Sequence, residues 1–426
     1  MNLTSILSRL WSVPDIRKKI VITALLLVVF RLVAHIPASG VDHQALRQLF
    51  AQSPFLSLLD VFSGGTLANF SILALGLNPY INASIVIQLL TLVFPALEEL
   101  QKEGEPGRAK INQYTRMLTV PLAALQSVGM YFLLNSQGVV EQLSPIPLIV
   151  LAVTMTAGTM FAVWLGELIT EYGIGNGISL LIFAGIVGRI PVSASQTLLV
   201  AQLEDLFPVL IFSAVSIVVI ASVVFMSEAV RRVNVQYARR AARGGTVAQT
   251  THLPLRLNQA GVIPIIFAVS LVLAPTMLTQ FLARIPNPQV SLVANSVSAW
   301  FQPQSLSYEA TYFLLIVGFT FFYTAVIFNP SKIAEEIKKH GGFIPGIRPG
   351  ESTAKYLNYV LMRITLAGAL FLGAIAILPS IVQNISGVTN LAVGGTGILI
   401  VVSVVLETVK KLESQLVARN YDKFLQ

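Results

Sequence analysis

Between Val61 and Leu97 the chain is almost uninterruptedly apolar, and that length constrains what it can fold into. One helix needs only about 20 residues to cross the roughly 30 Å hydrocarbon core of a bilayer. This stretch is too long for one span, and it is broken. Gly64-Gly65 loosen its start, and Gly76-Leu77-Asn78-Pro79 remove helix hydrogen bonds before a second apolar run from Ile81 to Phe94. The expected form is a short half-helix followed by a true span. Backbone broken at membrane depth exposes peptide groups that lipid cannot satisfy, so it is tolerated where protein or a water-filled cavity surrounds it. The break therefore marks either a cavity or a kinked, re-entrant helix that only fills space.

Hydrophobic residues make up 54% of the 426 positions and charged residues 11%, the composition of an integral membrane protein. Cysteine is absent, which excludes disulfides, thiolate metal sites and a cysteine nucleophile. His35, His43, His252 and His340 are scattered and form no HExxH pair, so metal chemistry has little support. The basic Arg17-Lys18-Lys19 before an apolar run imitates a signal peptide, but Arg31 inside that run and the many later spans argue for a first membrane helix.

Apolar windows predict ten spans, near 16–36, 76–95, 114–134, 146–166, 177–191, 206–228, 259–282, 310–328, 358–381 and 392–409. Of the 28 Lys and Arg, 24 lie in the loops and at the helix ends of one side, three (Arg47, Arg189 and Arg284) on the other, and Arg31 deeper inside a span. The positive-inside rule then puts both termini in the cytoplasm. The expected organisation is a cytoplasmic N-terminus (1–20), a first half (16–191), an external connection (192–205), a second half (206–409) and a cytoplasmic tail (410–426).

Five spans preceding five permit an inverted repeat. The second span of each half opens G-x-x-P-x-I, as Gly76 to Ile81 and as Gly261 to Ile266. The fifth span of each half is short and glycine-led, at Gly173 to Ile178 and at Val393 to Ile398. Matching interruptions in two halves point to a central site at the repeat interface.

A coupled transporter keeps ionisable residues near the midplane, and this chain has few candidates. Glu167, Glu228 and Glu407 lie near cytoplasmic helix ends, and Arg31, near the outer end of its helix, is placed to snorkel. The converging elements carry Leu77, Ile81, Ile178, Ile182, Ile266 and Ile400 instead. A ring of such aliphatics makes a hydrophobic constriction that gates by dewetting, although each taken singly also fits ordinary packing. Membrane polarity is carried by amides: Gln88, Gln126 and Asn258. Interhelical bonds of about 1 kcal/mol or less suit a seam that parts and equally suit static packing.

Two cytoplasmic loops, 229–258 and 329–358, are long for a compact bundle. The first carries Arg239, Arg240 and Arg243 before Gly244-Gly245, which reads as a hairpin tip; the second presents Arg348 in a rigid Gly-Ile-Arg-Pro-Gly turn. These are expected docking surfaces for an anionic partner, either RNA phosphate or an acidic protein face.

Five long segments carry a resemblance: FSGGTLANFSILALGLNPYINASIVIQLL (62–90), EGEPGRAKINQYTR (103–116), GIGNGISLLIFAGIV (173–187), THLPLRLNQAGVIPIIFA (251–268) and GGFIPGIRPGESTAKYL (341–357). With these the chain closely resembles the SecY family of protein-conducting channels. The resemblance implies an all-α membrane protein of ten transmembrane helices in two inverted five-helix halves around a central pore, with a short plug half-helix. The pore ring would be Leu77, Ile81, Ile178, Ile182, Ile266 and Ile400, with Leu77 standing where isoleucine or valine is usual. The plug would occupy 61–75, including Phe62, Ser63, Gly64, Gly65, Thr66, Leu67, Ala68, Asn69, Phe70, Ser71, Ile72 and Leu73. A lateral gate would open between spans two and three and spans seven and eight, with Gln88, Gln126 and Asn258 as its polar members. Residues 192–205 would act as an external hinge.

The implied partners are SecE- and SecG-like membrane subunits, the SecA motor ATPase, the ribosome through rRNA contacts of Arg239, Arg240, Arg243 and Arg348, signal sequences, and the lipid bilayer of a bacterial plasma membrane. No catalytic residue, metal or cofactor is expected. The competing reading is an inverted-repeat secondary transporter of a small solute. An intramembrane enzyme finds no GxSxG, HExxH or paired intramembrane acids, and a scaffold or insertase without a pore is the remaining alternative.

Overall fold

The computed structural model describes residues 13–38, 46, 60, 63, 65–136, 138, 140, 142–200, 206–240, 246–282, 288–302, 305–386 and 395–425. Proline and capping side chains set many of its helix starts. Proline stands in the first turn of α1 (Pro14–Val33), α2 (Asn78–Val93), α3 (Pro95–Lys102) and α5 (Pro145–Tyr172), where its missing N–H loses no intrahelical bond. The chain continues through α4 (Glu105–Ser136), α6 (Gly177–Val200) and α7 (Leu206–Glu228) into the strands β1 (Val230–Arg240) and β2 (Thr246–Arg256). Then come α8 (Ile263–Leu282), α9 (Pro288–Trp300), α10 (Leu306–Ile327), α11 (Pro330–Lys339), β3 (Gly342–Phe343), α12 (Glu351–Ser386) and α13 (Gly395–Leu425). Ser305 and Asn329 cap α10 and α11, their side-chain oxygens accepting from the Tyr308 and Lys332 N–H groups at 3.1 Å.

Four helical stretches among the described residues are long and apolar enough to cross a membrane: 105–135, 145–172, 306–339 and 351–378. The pair α2 and α3, bent by 102° at Phe94, makes a fifth if counted as one broken span. Shorter apolar helices cover 177–188, 213–228 and 263–273. Leu25, Val28, Leu125, Ile146, Ile217, Phe225 and Leu314 are more than half exposed, an apolar surface that suits lipid and not water.

Helix contacts separate the chain into two groups. α1, α2, α4, α5 and α6 pack among themselves, as do α7, α8, α10, α12 and α13. The groups meet along two lines: α8 lies against α2 and α4, and α13 lies against α6.

Two expectations need correction. The half-helix expected within 61–75 does not extend through it: Asp60 and Ser63 are helical, but residues 65–77 run as successive turns. Side-chain bonds to the backbone compete with a helix there. The Asp60 carboxylate accepts from the Ala68 N–H at 2.8 Å, the Thr66 hydroxyl lies 2.7 Å from the Leu73 carbonyl, and Phe70 sits at φ 43°. The helix expected over 177–191 does not end there; α6 runs through Pro191 to Val200. A further helix, α9, follows α8.

Candidate functional site

The segment after α1 folds inward. The Ala38 N–H donates to the Phe70 carbonyl at 2.8 Å and the Ile72 N–H to the Ile36 carbonyl at 3.1 Å, closing a bridge between Pro37 and Ser71. Leu67, Phe70 and Leu73 are buried in the main apolar core. Close approach needs glycine on the neighbouring helix: a Cβ on Gly158 of α5 would stand 2.1 Å from the Ile72 carbonyl oxygen. Gly76, at φ +56°, turns the chain out of this segment and into α2. Ser63 is also buried, and its hydroxyl donates to the Asp60 carbonyl at 3.0 Å. Gly65, Thr66, Ala68, Asn69, Ser71 and Ile72 lie in the same turns. Phe62 and Gly64 lie outside the described residues.

Five of the six expected ring residues are buried in the same apolar core as these turns. Leu77 precedes α2 and Ile81 lies in its first turn; Ile182 comes from α6, Ile266 from α8 and Ile400 from α13. All belong to one continuous apolar cluster, with Ile178 partly buried against it. Ile178 seats its Cδ1 over Gly166 of α5. Helices from both groups thus deliver aliphatic side chains, without a charged group, to the place where the groups meet.

The amides expected at the seam are engaged locally. Gln88 is half-buried and donates through Nε2 to the Ser84 hydroxyl at 3.1 Å; its Oε1 is buried with no hydrogen-bond partner among the described residues. Asn258 closes its own turn ahead of α8, its Oδ1 accepting from the Gly261 N–H at 2.9 Å. Gln126 is half-buried on α4. Among the described residues these three do not hydrogen-bond one another.

Sequence reasoning missed the contacts of the charged groups. Arg31 does not snorkel: its guanidinium turns inward to the Ala184 and Gly185 carbonyls of α6. Glu167 pairs with Arg116 at 3.2 Å, and Glu228 with Lys410 at 2.8 Å. Lys410 also donates to the Ser227 carbonyl at 3.0 Å, and Lys411 reaches the Gly175 carbonyl, between α5 and α6, at 3.3 Å.

The two long loops, 229–258 and 329–358, form one module. β1 pairs antiparallel with β2 from Val230↔Arg256 to Arg240↔Thr246, and with β3 at Gln236↔Phe343 and Tyr237↔Gly342. A second apolar core of Val233, Val235, Leu255, Ile337, Ile344 and Leu357 joins this sheet to α11 and the first turns of α12. The signal was present in the alternation of Val233, Val235 and Tyr237 with polar neighbours. Arg348 is exposed on a turn whose carbonyl accepts from the Thr353 hydroxyl at 2.9 Å. Arg239 and Arg240 end β1, and their side chains, like all of Arg243, lie outside the described residues.

A helical bundle with exposed apolar flanks, whose halves meet at an aliphatic cluster packed with a folded-in segment, invites comparison with known proteins. A family model named SecY matches residues 71–409. The chain belongs to the SecY family. It is 45% identical over 443 residues to the protein translocase subunit SecY of Streptomyces galbus, covering 98% of this chain and 99% of that one. The subunit of the same name from Mycobacterium tuberculosis strain H37Rv is 43% identical over 439 residues, covering 97% of each. The fold agrees. A solved protein-conducting channel aligns with a TM-score of 0.65 at 18% identity, covering 93% of this chain and 92% of that one. A SecY structure whose plug domain stabilises the closed channel and maintains a membrane seal aligns with 0.63 at 20% identity, covering 97% of each.

Proposed function

We propose that this chain is the central channel subunit of a protein translocase, passing unfolded secretory polypeptides across the membrane and releasing apolar signal and transmembrane helices sideways into lipid. Ten spans in two inverted five-helix halves form the channel, in a bacterial plasma membrane with both termini cytoplasmic. Residues 61–75 act as the plug, and Leu77, Ile81, Ile178, Ile182, Ile266 and Ile400 as the ring. The carrying observation is the burial of ring residues from four separate segments, drawn from both halves, in the single apolar cluster that also holds Leu67, Phe70 and Leu73 of the inward-folded turns.

The mechanism follows from that chemistry. An aliphatic constriction excludes ions by dewetting and grips a passing chain without reading its sequence. A signal helix partitions by its own hydrophobicity between lipid and the opened seam of α8 with α2 and α4, where Gln88, Gln126 and Asn258 lie. Residues 192–205 serve as the external hinge. The channel itself performs no catalysis and holds no cofactor. Energy comes from partners docking on the cytoplasmic module at Arg239, Arg240, Arg243 and Arg348: a SecA-like motor, or a ribosome through its rRNA. SecE- and SecG-like subunits complete the complex. The family's Sec61 relative was solved in a ribosome–channel complex, which favours the ribosome as one such partner. A coupled transporter is disfavoured by the pairing of Glu167 with Arg116 and Glu228 with Lys410, which leaves these acids engaged in structural ion pairs.

The test is photocrosslinking of a stalled secretory chain in the reconstituted translocase. Probes at residues 77, 81 and 266 should capture the nascent chain, and a probe at lipid-exposed Leu125 should not. Equal labelling at all four positions would remove the pore from the proposal.

A further inference from the structure

α12 carries an anomaly for a helix that meets lipid. Lys355, Tyr359, Met362, Arg363 and Leu366 fall on one stripe of it and are exposed. With Phe321 of α10 they line an open groove of about 550 Å³. Lys355 stands at the N-terminal end of the stripe and Arg363 further along it, between Met362 and Leu366, but the Arg363 head is turned back toward the N-terminal end; the five residues spread over about 16 Å at 1.5 Å per residue. Arg363 lies over the Tyr359 ring, 4.2 Å from its centroid. Among the described residues no carboxylate stands within 4.0 Å of it. Lys355 has only Glu351, at 2.8 Å, in a pair more than three-quarters exposed on both sides, and such surface pairs give way readily.

An arginine this close to hydrocarbon needs a counter-charge, and the nearest source is the phosphate layer of the bilayer. The guanidinium fork fits a phosphodiester in two parallel hydrogen bonds, its face already held by an aromatic ring of the kind enriched at membrane interfaces. Met362, Leu366 and Phe321 continue the groove with apolar surface, which suits an acyl chain and is wasted on a free ion.

We propose that the groove between α10 and α12 is a binding site for an anionic glycerophospholipid of the cytoplasmic leaflet, its phosphodiester on Arg363 and Lys355 and one acyl chain along Met362, Leu366 and Phe321. The proposal takes from the functional reading only that α12 crosses the bilayer with its first turns at the cytoplasmic interface.

Native mass spectrometry of the full translocase complex, titrated with phosphatidylglycerol, phosphatidylcholine or glycerol phosphate, tests it. Phosphatidylglycerol should bind about tenfold more tightly than phosphatidylcholine, and Lys355→Gln with Arg363→Gln should erase that preference. Arg363→Lys, which keeps the charge and should fold if the double variant does not, should lose about threefold, because the fork is gone. Equal lipid retention by wild type and the variants overturns the proposal. So does displacement of the lipid by glycerol phosphate alone, which marks a free-phosphate site, or capture of a partner subunit instead of lipid by a photoprobe at Tyr359. The stalled-chain crosslinks at residues 77, 81 and 266 do not depend on this groove, so loss of either result leaves the other standing.

Discussion

The two lines along which the halves meet are built differently. At the front, α8 lies against α2 and α4, and the polar residues there use their hydrogen bonds at home: Gln88 with Ser84, Asn258 with Gly261. At the rear, α13 lies against α6, and Lys411 crosses from one half to the other to reach the Gly175 carbonyl at 3.3 Å, while its neighbour Lys410 is fixed to Ser227 and Glu228 of α7. Parting the front exchanges helix contacts for lipid contacts of much the same quality. Parting the rear breaks a charge-assisted hydrogen bond, that of Lys411 to the Gly175 carbonyl, which is of the stronger kind. On the proposed function, the front is the edge that opens and the rear is the edge about which it opens.

The largest effect is expected where both lines converge. Ile81 comes from a front helix and Ile182 from a rear one, so replacing both with Asn wets the constriction from two sides. Ion conductance of reconstituted closed channels should rise by about tenfold or more. The single variants sharpen the comparison. Similar leaks mean the seal needs both edges equally, whereas a leak from Ile81→Asn alone confines it to the front. Unchanged conductance in the double variant removes the ring altogether.

A smaller effect is expected above the ring. A side chain on Gly158 cannot coexist with the present path of the 65–77 turns, because its Cβ would stand 2.1 Å from the Ile72 carbonyl oxygen. Gly158→Val should displace these turns and raise closed-channel conductance by about two- to fivefold, less than the ring variants because the constriction itself stays dry. Deleting Gly65 to Leu73 should act in the same direction. If both variants seal like the wild type, the segment is a packing element and not a plug.

How far this was legible in the sequence depends on which physical signal spoke. Spans declare themselves through unbroken apolar windows, so the cores of α4, α5, α10 and α12 were readable from hydropathy alone. The Gly76 to Pro79 break was readable because both residue types remove helix bonds locally. The form of 65–77 was not. Its apolar run announced burial, but the backbone path is fixed by Asp60 and Thr66 side chains and by the approach to Gly158, which lies far away in sequence. Arg31 was likewise misread, since only the fold brings the carbonyls of Ala184 and Gly185 within its reach. The three-stranded sheet was legible in principle from Val233, Val235 and Tyr237, but reading that loop for its charge hid a period of two.

The smallest effect is expected at the rear itself, and it bears most directly on the comparison. Lys411 is exposed, so its bond to the Gly175 carbonyl contributes about 0.5–1 kcal/mol, below the range for a buried charged donor. Lys411→Met keeps the length of the side chain and removes only the donor. If the rear line is the hinge, loosening it should lower the cost of parting the front. Export of a substrate with a weakened signal sequence should then increase by about two- to fivefold, the factor that energy allows. Export driven by a strong signal should not change, because that signal already opens the seam. Gln88→Leu is the matching front variant: removing a buried amide with an unpartnered oxygen stabilises the closed seam, and the same weak substrate should be exported less. Opposite signs for the two variants support one edge that opens and one that holds. The same sign for both would mean that the lines are equivalent, and that the lysines at the rear do no more than anchor the end of α13.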